Sequence, residues 1–170
     1  MINFKENIDK ESAFRSVQEY LTSKNLSIQA KDKERPWGGF FVIDETSLET
    51  FIDQFFPSSD PRNNSLDQVL SPKILLVQPD KRLSWQYHYR RAELWKIING
   101  PVGIILSDDD NQTELQKFNS DELIKIDCGE RHRLVGLEEW GVVAEIWQHT
   151  DPSNPSDEND IVRLEDDYGR

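Results

Sequence analysis

Apolar residues recur along this chain with two different periods. Between Asp9 and Leu21 they fall at Phe14, Val17 and Leu21, the spacing of one helix face, and Asp9 is placed to cap the start. After a polar linker the pattern resumes at Phe40-Phe41-Val42-Ile43, a short strand approached through Arg35-Pro36-Trp37-Gly38-Gly39 and ended by Asp44. Proline and two glycines make that approach a constrained turn, which holds Arg35 and Trp37 at the rim of a site or simply starts a strand with a buried Trp. Residues 47–56 read weakly as helix and 57–65 as a loop, either a lid or an inconsequential insertion. From Lys73 onward the period shortens, predicting strands at 74–77, 83–88, 94–98, 102–106, 115–118, 122–126, 133–137 and 142–147. Turns such as Asn99-Gly100 and Asp108-Asp109-Asp110-Asn111 separate them. That spacing favours an all-β sandwich or barrel over a doubly wound sheet, which would need crossover helices between strands.

Length and charge narrow the picture. A chain of 170 residues supports one substantial core, so we expect a helical appendage over residues 1–30 and one main domain over 31–170. A net charge of −12 opposes nonspecific binding to nucleic acid or to an anionic membrane, so neither is an expected partner. The N-terminus lacks the apolar run of a secretory signal and no stretch approaches a membrane span, so the expected location is cytoplasmic. Cys128 is the one cysteine, which rules out an intrachain disulfide and an all-thiolate metal site; a buried thiol at a turn or strand end is expected. The acidic run at Asp108 to Asp110 lacks EF-hand spacing and reads as an exposed hairpin tip.

The stretch with chemistry in it is Leu83-Ser84-Trp85-Gln86-Tyr87-His88-Tyr89-Arg90-Arg91-Ala92-Glu93-Leu94-Trp95, with His132 as a later partner. On a strand Gln86 and His88 share a face, and a short turn can return Glu93 beside them. Two imidazoles and a carboxylate are a donor set for Zn, Mn, Fe, Co or Ni, and Gln86 can add a neutral oxygen. The competing arrangement is a polar network of Arg90 and Arg91 with Glu93, and His149 reads as structural. If the strand at 142–147 sends Glu145 inward, Val143 and Trp147 share its face, and Glu145 is then a candidate base or a partner for Arg91 or Arg163. The acidic tail from Asp160 to Arg170 alternates apolar and charged residues; it either returns to cover the barrel, bringing Arg163 toward a ligand, or stays solvated.

These residues resemble the cupin family, and more closely the cupin-type (type II) mannose-6-phosphate isomerase domain often found at the end of mannose-1-phosphate guanylyltransferase chains. Its pattern Ser-Leu-Gln-x-His-x-x-Arg-x-Glu-His-Trp is similar to Ser84 through Trp95. Gly129 and His132 resemble the second cupin motif, Arg35-Pro36-Trp37-Gly38 the domain's Lys-Pro-Trp-Gly opening, and Asp160-Ile161-Val162-Arg163-Leu164-Glu165-Asp166-Asp167-Tyr168-Gly169-Arg170 its close. Trp147 departs from a family Glu-Val-Gln segment at 145–147.

The resemblance implies a double-stranded β-helix, or jelly-roll barrel, with an N-terminal helix, and Gln86, His88, Glu93 and His132 as ligands of a divalent transition metal. Zn is the first choice of metal, with Mn, Co, Ni or Fe as alternatives. It further implies a sugar-phosphate substrate, a homodimer, and interconversion of mannose 6-phosphate and fructose 6-phosphate through an enediolate-like state. Glu145 is then the candidate base, with Arg91 and Arg163 on the phosphate or sugar and Arg35 at the rim. Residues 1–30 are too short to hold a nucleotidyltransferase, so sugar-nucleotide synthesis is not expected. The alternatives are a non-catalytic sugar- or sugar-phosphate-binding cupin and a metal-dependent oxygenase built on the same two histidines and carboxylate.

Overall fold

Asp9 caps as its position predicts: its carboxylate accepts from the Ser12 N–H at 2.8 Å and opens helix α1, Lys10–Ser23. The helix buries Ala13, Phe14, Val17 and Leu21, and the Phe14 ring lies 5.3 Å from that of Phe41. The computed structural model describes residues 2, 4, 8–64 and 69–169; Ser65 of the expected loop and Arg170 of the expected closing segment lie outside the described residues. Strands β1 (Ile28–Asp32) and β2 (Gly38–Ile43) follow, then a 3-10 turn and helix α2, Leu48–Phe55. That helix confirms the weak helical reading of 47–56, and its Phe51, Ile52 and Phe55 are buried.

All eight strands expected from Lys73 onward form. They are β3 (Leu70–Val77), β4 (Trp85–His88), β5 (Arg91–Asn99), β6 (Val102–Ser107), β7 (Gln116–Phe118), β8 (Leu123–Ile126), β9 (Arg131–Gly136) and β10 (Gly141–His149). Two further strands lay outside the strand pattern. One is β1, whose residues are mostly exposed because it is a sheet edge, where polar side chains suppress further pairing. The other is β11, Ile161–Glu165, formed by the tail as it returns.

The strands form two antiparallel sheets, six strands in the order β1-β2-β3-β10-β5-β8 and five in the order β11-β4-β9-β6-β7. Among the described residues neither sheet closes on itself. The architecture is an all-β sandwich with an N-terminal helix, and the expected closed barrel is replaced by two open sheets laid together. The six-stranded sheet is covered on both faces. Ile74, Leu76, Val142, Ala144 and Ile146 pack against α1 and α2, whereas Leu75, Val77, Trp95, Ile97 and Val143 meet Ile104 and Leu134 of the facing sheet. Every residue of β10 is buried as a result, so its sequence shows no alternation.

On the inward face of β10 the chemistry changes along the strand. Val143 is apolar and lies in register with Leu75 and Ile97; two residues on, Glu145 stands opposite Lys73 and Trp95, and Trp147 opposite Glu93. One end of the space between the sheets is therefore hydrophobic core and the other is a polar cavity. The turn before β2 reaches that cavity because Gly38 has φ of +142° and lies so close to β3 that a Cβ would come 2.0 Å from the Leu76 carbonyl oxygen. Among the described residues no helix is long and apolar enough to cross a membrane.

If α1 belongs to the packed structure, Phe14→Ala should destabilise the protein by about 3–5 kcal/mol. Urea melts read by far-UV circular dichroism should show a lower midpoint with an unchanged slope.

Candidate metal centre and its cavity

The turn between β4 and β5 crosses from one sheet to the other, so His88 and Glu93 face each other across the sandwich. Gln86 and His88 point to the same side of β4, as the two-residue period predicts, and His132 is delivered by β9, which pairs with β4 at Gln86. His88, Glu93 and His132 are all buried, with ligand atoms within 4.8 Å of one another. His88 Nε2 lies 3.2 Å from Glu93 Oε1, and His132 Nε2 lies 3.5 Å from Glu93 Oε2.

Hydrogen bonding shows what these atoms lack. His132 Nδ1 is 3.0 Å from the Glu130 carbonyl oxygen, which can only accept, so Nδ1 carries the proton and Nε2 offers a lone pair. That buried Nε2 has no hydrogen-bond partner and faces a carboxylate oxygen that is also an acceptor. Two lone pairs out of water and turned toward one another call for a cation between them, and this donor set fits a divalent metal. Trp95 and Arg91 supply the remaining contacts of Glu93: the indole N–H donates to Oε2 at 3.1 Å and Arg91 Nε to Oε1 at 2.8 Å.

Charge follows from the same packing. Burial by itself would raise the Glu93 carboxyl, but the neighbouring His88, Arg91 and His132 outweigh it and hold the group well below the ordinary carboxylate range. Burial pushes the His132 imidazole down to about 4, against the pull of Glu93. The pair is thus an ionised carboxylate and a neutral imidazole, the protonation states that a metal requires.

Of the two arginines weighed for a network with Glu93, only Arg91 joins it. Its guanidinium also reaches His88 Nε2 at 3.1 Å and Ser156 Oγ at 2.8 Å, and stacks 3.5 Å over the Trp147 ring. Arg90 turns away to Asp160, Asn154 and Asp157. The Gln86 side-chain carbonyl oxygen accepts from the Ser84 hydroxyl at 2.6 Å and keeps a second lone pair.

A cavity of about 60 Å³ opens beside this cluster. Gln86, Arg91, Glu93, Glu145, Trp147 and Arg163 line it, joined by Arg35 and Trp37 from the turn before β2. Arg163 reaches the cavity because β11 pairs with β4 in a register that sets it opposite Gln86. Arg35 Nε stands 2.8 Å from Asp32 Oδ2, an ion pair without hydrogen-bond alignment. Glu145 Oε1 accepts from the Trp95 indole at 3.0 Å, so one N–H bridges both carboxyl groups. Burial first, and the charge of Glu93 second, raise Glu145 to about 8, against the opposing fields of Lys73 and Arg91.

The sequence reading missed Lys73, Glu158, Ser84 and Ser156. A lysine one residue ahead of the apolar run 74–77 was the available signal for Lys73, obscured because the strand was started at Ile74 rather than Leu70. His149 is structural, with Nδ1 accepting from Ser156 N at 2.8 Å and Nε2 2.9 Å from Ser71 Oγ. Cys128 corrects its expectation: it is exposed rather than buried, with its thiol donating to the Tyr89 carbonyl at 3.0 Å.

Two outcomes follow for the metal-free protein. Glu93→Ala leaves Arg91 buried without its carboxylate and should cost about 3–5 kcal/mol, while also abolishing the retention of divalent metal measured by atomic emission. Glu145 is favoured neutral by folding, so its contribution to stability is complete below the ordinary carboxylate range and is lost as pH rises through about 8. Glu145→Gln should flatten that decline in urea melts recorded across this window.

Comparison with known proteins agrees with this geometry. The family described as mannose-6-phosphate isomerase C-terminal matches residues 57–166. A mannose-1-phosphate guanylyltransferase of Salmonella montevideo is 29% identical over 150 residues, which cover 88% of this chain and 26% of that protein. The xanthan biosynthesis protein XanB of Xanthomonas campestris pv. campestris strain B100 is 27% identical over 136 residues, covering 80% of this chain and 23% of that one. The chain therefore spans about a quarter of the length of these curated relatives. Among solved structures, oxalate decarboxylase from Bacillus subtilis at pH 4.6 superposes with a TM-score of 0.57 at 15% identity, over 81% of this chain and 31% of that one, a likeness of fold. Two antiparallel sheets, a buried His/His/Glu cluster between them and a family match over most of the length lead to one assignment: the chain is a cupin-fold member of the mannose-6-phosphate isomerase C-terminal family.

Proposed function

We propose that this domain is a metal-dependent aldose–ketose isomerase interconverting mannose 6-phosphate and fructose 6-phosphate. One observation carries the reading: two carboxyl groups, Glu93 and Glu145, share a cavity and a single indole N–H, yet their surroundings drive their proton affinities in opposite directions. Such a split is how one site holds a permanent anion and a proton carrier side by side. Glu93, His88 and His132, with Gln86 as a fourth donor, would hold a divalent transition metal, Zn by family precedent. When bound, that ion supplies Lewis-acid stabilisation of negative charge developing on the sugar oxygens.

The chain's own residues do the rest. Glu145 in its ionised form takes the proton from C2 of the open-chain aldose, leaving an enediolate, and returns it to C1; a second proton passes from O2 to O1, so the atoms balance. A carboxyl raised toward neutrality is a stronger base than an ordinary one, which suits abstraction next to a carbonyl. Arg163 and Arg91 present planar donors to the phosphate or sugar, and Arg35 stands at the rim. Trp37 and Trp147 wall the site against water. Family precedent also proposes a homodimer.

The second reading, a sugar-phosphate-binding cupin without turnover, draws on Trp147, an aromatic wall where the family resemblance has a glutamine. An isomerase assay separates the two, using protein stripped of metal and reconstituted with defined divalent ions. The isomerase converts mannose 6-phosphate only when reloaded, and Glu145→Gln lowers kcat by about 10²–10⁴ with KM little changed. Tight binding without conversion under every metal would establish the binding protein instead.

A further inference from the structure

Lys73 is the buried cation of the cavity to which neither the family motifs nor the proposed chemistry gives a part. It projects inward from β3, and its Nζ lies 3.3 Å from the centroid of the Trp147 ring and 5.2 Å from that of Phe40. Its side chain is 10% exposed. An ammonium held against two aromatic faces keeps its charge but loses much of its hydration, so it draws strongly on any anion within reach.

The carboxylate in contact with it is Glu158, at 3.3 Å, while Glu145 stands opposite it on β10 and also acts on its charge. The 3.3 Å separation is longer than the 2.7–2.9 Å common in charge-assisted hydrogen bonds, and the Glu158 side chain is 52% exposed. The backbone carrying it is fastened independently: Asp157 accepts from Asn159 N, and the buried Asp160 accepts from the backbone of Tyr89 and Arg90 and from Ser156 Oγ. The Glu158 carboxylate can therefore swing into solvent while its turn stays in place. Other cations of the cavity are already committed, Arg91 to Glu93, His88 and Ser156, and Arg35 to Asp32. Arg163 joins Lys73 in the lining with a buried Nε that has no hydrogen-bond partner.

We infer that Lys73 anchors the phosphate group of the ligand and that Glu158 is its built-in place-holder, displaced when the phosphate arrives. This rests on the sugar-phosphate reading above and adds how the site chooses its ligand. A phosphate monoester carries close to two negative charges near neutral pH and can outcompete a single, loosely held carboxylate. A neutral sugar cannot, so Glu158 filters ligands by charge.

Calorimetric titration of the metal-loaded protein with an equilibrated mixture of mannose 6-phosphate and fructose 6-phosphate, with inorganic phosphate and with mannose tests this, because none of the three undergoes net turnover. Lys73→Met should weaken both phosphate ligands by about 10- to 100-fold, with Lys73→Arg intermediate. Glu158→Gln should tighten both by about two- to fivefold, the worth of a partly exposed ion pair. Mannose should be unaffected by either change. A Glu158→Gln protein that binds phosphate no better than the parent, or a folded Lys73→Met protein that binds it equally well, overturns the inference. The exposed position of Glu158 keeps the test decisive if Lys73→Met fails to fold. Phosphate binding that follows this pattern without any isomerisation would leave the anchor standing and remove the isomerase reading; isomerisation with both variants binding as the parent would do the reverse.

Discussion

A carboxylate removed from water must be matched by positive charge or by donors, and the interior of this protein is arranged around that requirement at Glu93. Removing such a group from solvent costs several kcal/mol, which only well-placed partners offset. Here the donors, Arg91 and Trp95, come from the same strand, while His88 from the strand before it and His132 from a third bring the lone pairs that call for a cation. The histidines meet Glu93 only when the two sheets are packed face to face. The electrostatics of one side chain and the tertiary structure are thus mutually dependent.

The sheets are able to hold such a group because they differ in how they are covered. The six-stranded sheet is sealed on its outer face by the two helices, so β3, β5 and β10 lie in a low-dielectric layer on both sides. Inward-facing charges on those strands cannot reach bulk solvent through the back of the sheet. Lys73, Glu93 and Glu145 are consequently forced to interact with one another and with the cavity, which strengthens each field and spreads the proton affinities apart.

Much of this was legible in the residues. Alternation located the strands after Lys73, and the period of two put Gln86 and His88 on one face because successive side chains of any extended strand point to opposite sides. Asp9 and the stripe at Phe14, Val17 and Leu21 were readable because helix capping and amphipathicity are local. The division into two open sheets was not, since hydrogen bonding between distant strands leaves no mark on either one's composition. β10 concealed its inward face for a different reason: with both faces buried, Val143, Ala144, Glu145 and Ile146 read as a nearly continuous run, and parity set Glu145 on one face with Val143 and Trp147 without saying which face that is. Lys73 and Glu158 escaped because their meaning is a pairing between residues far apart in the chain. Ser84 and Ser156 escaped because a hydroxyl that orients an amide or a guanidinium resembles any other serine.

The return of the tail as β11 has a consequence for the order in which the molecule is completed. A chain emerging in sequence presents His88, Glu93 and His132 well before it presents Ser156, Asp160 or Arg163, yet Arg91 donates one of its hydrogen bonds to Ser156, and the sheet edge at β4 stays open until β11 lies against it. Completion of the cavity is thereby deferred: a chain that has reached His132 but not β11 carries the ion-binding residues and lacks Ser156 and Arg163.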